Sequence, residues 1–342
     1  MVYSMQNLKL SVVIPVFNEQ DSLGILLGRL LPVLEQVGPS EVIFVNDGST
    51  DETMHILNKL QQAHPEVVRV IHLRTNCSKS VALQIGFNET CGRLIAMMDG
   101  DLQDQPEELL KLINTLEKEE LDAVTGWKVN RQDDYLSKNF PSKIFNWIMR
   151  RLSDLHIHDF NCGLKVFRRE CLGSFTLYGQ LHRFILVFIK HHGFKVGEIG
   201  IEHAPRQFGF SKYGARRIYH GFMDILTVFF ITRYLHSPLH FFGIYGVATL
   251  GLSVPIGAFY LGCHLFYLLS GNLGWSLAEH PLWLISPILF LIGLVMIFFG
   301  LLGEMLTYCF SSRNSFYSFV QCRYGCVKAH QTEPENASCD RS

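Results

Sequence analysis

The chain has 342 residues, 30 Lys plus Arg against 31 Asp plus Glu, 48% hydrophobic residues and only 18% charged ones. These values exclude a disordered or collagen-like chain, and a net charge of −1 leaves no basic field to hold nucleic acid. The length allows about two domains, and the apolar excess places part of the chain in lipid.

The N-terminal MVYSMQNLKLSVVIPVF has one early Lys, then a short β-branched run with no small-residue cleavage site. It reads as a core strand (11–17), not a signal peptide. Leu23, Leu26, Leu27, Leu30, Leu31 and Leu34 follow at helical spacing. EVIFVND (41–47) repeats the pattern, with Ser49, Thr50 or Asp51 as N-cap of a second helix. A strand at 67–73, a helix near 81–88, a strand at 93–99, a helix from Pro106 and a strand at 122–127 continue the alternation. Such alternation predicts an α/β domain with a mostly parallel sheet covered on both faces, binding ligands at the carboxyl ends of its strands.

Leu136, Phe140, Ile144, Ile148 and Leu152 recur every four residues beside Lys138, Lys143, Arg150 and Arg151. That pattern predicts a basic amphipathic helix on the lipid surface. Ile218, Phe222, Ile225 and Phe229 repeat it after Arg216 and Arg217; packing on the sheet is the alternative for either stripe.

From Tyr234 to Ser312 there is no Lys or Arg, and Glu279 and Glu304 are the only carboxylates. Two apolar stretches, about 239–269 and 282–310, each exceed the roughly 20 residues needed to cross a bilayer. They predict a transmembrane hairpin within 236–312, after a soluble domain at 1–235 and before a polar tail at 313–342. Lys212, Arg216, Arg217 and Arg233 precede it, Arg313, Arg323 and Lys328 follow it, and the connector has no basic residue. Domain and tail are therefore expected in the cytoplasm. Nine cysteines, odd in number and scattered, read as reduced thiols. Cys322 and Cys326 have no second pair with which to hold zinc.

Three strand ends carry the informative residues: Pro15, Asn18 and Glu19; Asn46, Asp47, Gly48, Ser49 and Asp51; Asp99, Gly100, Asp101, Gln103 and Asp104. Asp99 and Asp101 would repel each other at the end of a buried strand unless a cation or protons neutralise them. Mg2+ or Mn2+ shared with a substrate pyrophosphate fits that need. No G-x-G-x-x-G opens the first helix and no P-loop occurs, so a metal-held nucleotide diphosphate is the expected ligand.

SVVIPVFNE, VNDGSTD and DGDLQDQPEE, in that order, resemble family 2 glycosyltransferases of the GT-A fold. With the two spans and RQFGFSKYG (206–214), the chain is similar to polyprenyl-phosphate glycosyltransferases, the relatives of dolichol-phosphate mannose synthase and bacterial undecaprenyl-phosphate sugar transferases. The resemblance implies that Pro15, Phe17, Glu19 and Asp47 line the nucleobase and ribose pocket. It places Asp99 at the ribose and metal side, and Asp101 and Gln103 as metal ligands. Arg131, with Lys128, falls near the donor phosphates, and Arg206, Ser211 and Lys212 match the loop that receives the lipid phosphate. The same resemblance implies a homo-oligomer, a tetramer among its states, in a bacterial inner membrane.

A polyprenyl phosphate is already an anion and attacks without a general base, which agrees with the missing Glu-Asp dipeptide of processive synthases. In-line attack would invert the anomeric centre. UDP-glucose is the favoured donor by analogy with bacterial two-span relatives; GDP-mannose and a non-catalytic membrane assembly module are the alternatives. QLHRF (180–184) resembles the Q-x-x-R-W of processive synthases, but Phe replaces Trp and two spans are too few for a polymer channel, so it reads as coincidence. His156 and His158 read as surface residues, and Asp159 lies in a segment that the family places near the active site. Glu304 is costly in a span and is expected to pair within a helix bundle supplied by the oligomer.

Overall fold

The computed structural model describes residues 8–128, 149–151, 153, 155–202, 216–234, 237–270 and 281–311. In order these form β1 (Leu10–Val16), α1 (Leu23–Val37), β2 (Ser40–Asn46), α2 (Thr53–Ala63), β3 (Val68–His72), α3 (Lys79–Asn88), β4 (Leu94–Met97), α4 (Glu108–Lys118), β5 (Ala123–Lys128) and β6 (Lys165–Arg168). After 3-10 turns at Arg169–Ser174 and Leu181–Phe184 come α5 (Ile185–His191), β7 (Val196–Ile201), α6 (Arg216–Tyr234), α7 (Pro238–Leu269) and α8 (Ile285–Ser311).

Seven strands make one sheet in the order β3-β2-β1-β4-β6-β5-β7. Only β6 is antiparallel to its neighbours. Side chains alternate across each strand, so Val12, Ile14 and Val16 face one core with α1 and α4. Val13, Ile43, Val45 and Met97 face a second core with Leu83 and Phe87 of α3 and Ile185 and Phe188 of α5.

The five strands and four helices read from the first 128 residues are present, with ends shifted by a residue or two. α2 starts later than expected, at Thr53, whose N–H donates to Asp51 Oδ1 at 3.1 Å. β6 and β7 escaped the sequence reading because KVFR is only four residues and begins on a Lys, while VGEIGI carries two glycines on a sheet edge. The antiparallel course of β6 matters for function. Its first residue pairs with the last of β4, Lys165 with Met97, so the segment entering β6 lies at the ligand-binding rim.

The opposite end of the sheet is tied by a buried acid. Glu41 Oε1 accepts from Ser11 Oγ at 2.6 Å and Cys91 N at 2.8 Å, and Oε2 accepts from Arg69 at 3.0 Å. Removing it takes the acceptor from buried Ser11 Oγ, the shorter bond from Cys91 N–H and one of two carboxylates from Arg69, which keeps Glu89 at 2.9 Å. Glu41→Ala is expected to cost about 2–4 kcal/mol, read as a lower Tm in detergent with the turnover of folded protein unchanged.

On α6, Ile225 and Val228 pack into the second core while Met223 and Leu226 are exposed. At Ile225 the stripe therefore packs on the domain. The stripe residues Leu136, Phe140, Ile144, Ile148 and Leu152, the 271–280 connector and the 312–342 tail lie outside the described residues. α7 is about 48 Å long at 1.5 Å per residue, ample for ~30 Å of hydrocarbon. Only 6% and 11% of the most apolar windows of the two long helices are buried; core helices of a soluble domain would be covered. Glycines let α7 and α8 approach: a Cβ on Gly293 would lie 2.7 Å from Leu250 Cγ and 2.9 Å from Gly246 O. Glu304 corrects an expectation. Its partner is within the hairpin, because Leu239 N–H donates to Glu304 Oε2 at 3.4 Å, at a helix N-terminus that favours an anion.

Candidate active site

The ends of β1 and β2 are laced into one wall. Asp47 N–H donates to Val16 O at 2.9 Å, Asn18 N–H to Ser49 Oγ at 2.9 Å, Thr50 N–H to Asn18 Oδ1 at 2.9 Å, and Glu19 N–H to Thr53 Oγ1 at 3.0 Å. Buried Asp47 reaches further: Cys77 N–H donates to its Oδ1 at 2.7 Å and Ser78 N–H to its Oδ2 at 3.1 Å. This carboxylate holds the loop entering α3. Gly48, at φ +68, is required there, since a Cβ would lie 2.6 Å from Asn76 N. Pro15, Phe17 and Glu19 are half-buried along the same wall, and Ser22 Oγ donates to Glu19 Oε2 at 3.3 Å.

Beyond β4 the chain makes a strained turn. Leu102 is left-handed at φ +62, as are Asn18 at +55 and Ser78 at +101. Such conformations cost roughly 1–2 kcal/mol each in a non-glycine residue, and three sit in the loops at one rim of the sheet. Asp99 pairs with Lys79 at the start of α3. Burial alone would raise the Asp99 carboxyl, but Lys79, with Lys128 and His182 beyond, holds it down at about 2. Asp101 Oδ1 accepts from Gln103 N–H at 3.2 Å; Gln103 thus contributes its backbone to the turn.

Asp104 is the anomaly. It is 1% exposed, and neither carboxylate oxygen has a hydrogen-bond partner among the described residues. Lys128 Nζ stands 3.8 Å away. Burial, reinforced by repulsion from Asp99 and Asp101 and opposed by Lys128, pushes the carboxyl up to about 6. A Cβ on Gly163 would lie 2.8 Å from Asp99 Oδ2 and closer still to Asp104 Oδ2. Two carboxylates thus converge on a residue without a side chain.

Behind Asp99 opens a cavity of about 160 Å3, lined by Lys79, Asn161, Lys165, Gln180, His182 and Arg183 among others. Ser80 Oγ lies 2.8 Å from His182 Nδ1. Burial, then Lys79 and Arg183, push the His182 imidazolium well down, so it is neutral at pH 7. Asn161 Oδ1 is buried without a hydrogen-bond partner among the described residues. No three His, Cys, Asp or Glu side chains form a metal cage among the described residues. A hard divalent ion that takes one or two carboxylates and completes its shell from phosphate and water needs none. The orphaned oxygens of Asp104 beside Asp99 fit such an ion.

Residues 11–175 match the family described as glycosyl transferase family 2. The chain is 35% identical over 304 residues to a dodecaprenyl-phosphate galacturonate synthase of Rhizobium johnstonii, covering 88% of each. It is 33% identical over 298 residues to an undecaprenyl-phosphate 4-deoxy-4-formamido-L-arabinose transferase of Salmonella paratyphi B, covering 86% of this chain and 87% of the relative. The chain belongs to glycosyl transferase family 2. It is a glycosyltransferase of the polyprenyl-phosphate group that these relatives represent. A mannosyl-3-phosphoglycerate synthase from Rubrobacter xylanophilus, 18% identical, superposes at TM-score 0.50 over 65% of this chain and 74% of that one; at that identity the likeness shows the fold alone.

Within this family 2 transferase, Asp99, Asp101 and Lys128 come together at one corner, and Pro15, Phe17, Glu19 and Asp47 line the neighbouring strand ends. Arg131, Arg206, Ser211 and Lys212 lie outside the described residues. The sequence reading passed over Lys79, placed the segment of Asp159, Asn161 and Lys165 near the active site without giving Asn161 or Lys165 a role, and weighed QLHRF as coincidence although Gln180, His182 and Arg183 line the cavity. The available signal was the QLHRF string itself. Its distance from Asp99 in sequence concealed its nearness in space. His158 is a surface residue that pairs with Glu198 and stacks on Trp127, while Asp159 is buried and accepts from Asn161 N–H at 3.0 Å.

Proposed function

We propose that this transferase moves one glycosyl group from a nucleotide-diphosphate sugar to polyprenyl phosphate at the cytoplasmic face of the membrane, inverting the anomeric centre. The observation that carries this reading is the carboxylate corner, in which Asp99, Asp101 and Asp104 meet Lys79 and Lys128. Mg2+ or Mn2+ would be held there by one or two of the carboxylates of Asp99, Asp101 and Asp104, with phosphate and water completing its shell; this adds Asp104 to the Asp99 and Asp101 expected from sequence and leaves Gln103 to the turn. Such an ion supplies charge neutralisation for the donor diphosphate.

The residues of the chain do the rest. Pro15, Phe17 and Glu19 offer the half-buried wall to the nucleoside, and Asp47 keeps the loop before α3 in place. Lys79, fixed by Asp99, aims a cation at charge that gathers on the departing diphosphate, a preorganised contribution to lowering the barrier. Lys128 and Arg131 extend that field, while Arg206, Ser211 and Lys212 receive the lipid phosphate. The acceptor arrives ionised, so no side chain need take a proton. The hairpin holds the site beside its lipid substrate. Glu304 needs no second copy of the chain as its partner.

The relatives move the donor away from UDP-glucose and GDP-mannose, since one is named for galacturonate and the other for 4-deoxy-4-formamido-L-arabinose. With protein in detergent and a panel of sugar nucleotides, added undecaprenyl phosphate is expected to release free nucleotide only when Mg2+ or Mn2+ is present. Asp101→Ala is expected to slow release at least about 100-fold. Release that persists in chelator, or is unchanged in the variant, overturns the reading.

A further inference from the structure

Lys165, like Arg183 beside it in the cavity lining, carries a charge that the reaction above leaves unused. It opens β6 and is 1% exposed, yet it lines the cavity. An ammonium carries three N–H donors. Among the described residues Lys165 donates to a single acceptor, the carbonyl oxygen of Cys162. Lys79 is paired with Asp99 and Lys128 faces Asp104; no carboxylate lies within 4.0 Å of Lys165 among the described residues. Burial pushes its ammonium down although Asp159 and Asp99, beyond contact distance, favour the charge. A buried cation without a counter-ion is destabilising unless a ligand brings one.

The rest of the lining indicates which ligand. Asn161 Oδ1 is an acceptor without a hydrogen-bond partner among the described residues, Gln180 and neutral His182 add polar groups suited to sugar hydroxyls, and Arg183 adds a second cation. Asp99 and Lys79 form the end of the cavity next to the diphosphate, and Asp101 and Asp104 lie outside the lining. About 160 Å3 is small beside the ~300–1,000 Å3 of sites for drug-sized ligands, and suits one sugar ring. A neutral hexose would offer the ammonium hydroxyl acceptors but no counter-charge. We propose that the donor is a nucleotide uronate, whose sugar carboxylate is received by Lys165 inside this cavity. This deepens the proposed function and rests on it.

Two matched donor pairs, UDP-galacturonate with UDP-galactose and UDP-glucuronate with UDP-glucose, differ only in carboxylate against hydroxymethyl. With the full chain in detergent, Mg2+ or Mn2+ and undecaprenyl phosphate, the uronate of at least one pair is expected to exceed its partner about 100-fold in kcat/KM. Lys165→Met is expected to remove that preference, with UDP affinity by calorimetry retained as the sign of a folded site. Neutral donors that match or beat both uronates, or transfer confined to GDP-mannose or a formamidoarabinose donor, overturn the uronate assignment and leave the lipid reaction standing. Equal loss on both members of a pair in Lys165→Met, or a raised KM for undecaprenyl phosphate alone, assigns the ammonium to a phosphate and also overturns it. If Lys165→Met does not bind UDP, the wild-type ratios decide. No transfer from any donor defeats the proposed function itself.

Discussion

Asp104→Asn should abolish transfer and, at neutral pH, make the metal-free protein more stable. The native carboxyl is raised from 3.8 to about 6, so the folded state binds its proton more tightly than the unfolded one. The resulting stability is complete below pH 3.8 and is lost as pH rises through 6; by linkage the loss amounts to about 3 kcal/mol. Asn does not titrate. The Tm difference between variant and wild type, measured in detergent with chelator, should therefore widen from pH 5 to pH 8. Asp99 works in the opposite sense, since its depressed carboxyl adds stability above pH 3.8 that disappears only as pH falls through about 2. Mg2+ or Mn2+ should raise the wild-type Tm more than that of the variant. A wild type that gains nothing from either ion, together with a pH-independent difference, would remove Asp104 from the site.

Gly163→Ala should be nearly as damaging to transfer, for a steric reason. Its Cβ would meet Asp99 Cγ at 2.8 Å and press on both carboxylates, separating the groups that converge there. Overpacking of this kind costs roughly 1–3 kcal/mol, and a displacement of about an ångström at a catalytic corner can slow turnover about 100-fold. Gly28→Ala in α1 is the control, because nothing lies within 4 Å of its Cβ. It should leave the rate unchanged and add up to about 1 kcal/mol through helix propensity. Initial rates and melting curves of the two variants make the comparison; an active Gly163→Ala would mean that the corner tolerates separation.

Much of this was legible in the amino-acid order because it depends on local periodicity. The β-branched runs at 11–17 and 41–47 must alternate across a sheet, the Leu spacing after Leu23 can only present one helical face, and the 79 residues from Tyr234 to Ser312 without Lys or Arg do not suit water. Asp99 and Asp101 announced themselves as neighbours with a repulsion to be neutralised. What stayed hidden was long-range. Lys165 is 66 positions from Asp99, and His182 is 102 from Ser80; no local pattern joins them.

The sequence alone determined the α/β domain, the hairpin and the acidic strand end, since each follows from side-chain type at fixed spacing along one segment. The tertiary structure decided that β6 runs backwards beside β4. That reversal brings Gly163 and Lys165 to the rim where Asp99 ends its strand, leaves Asp104 without a donor, and encloses the cation-lined cavity. Strand direction is set by packing between distant segments, and that packing turns a list of polar residues into a site.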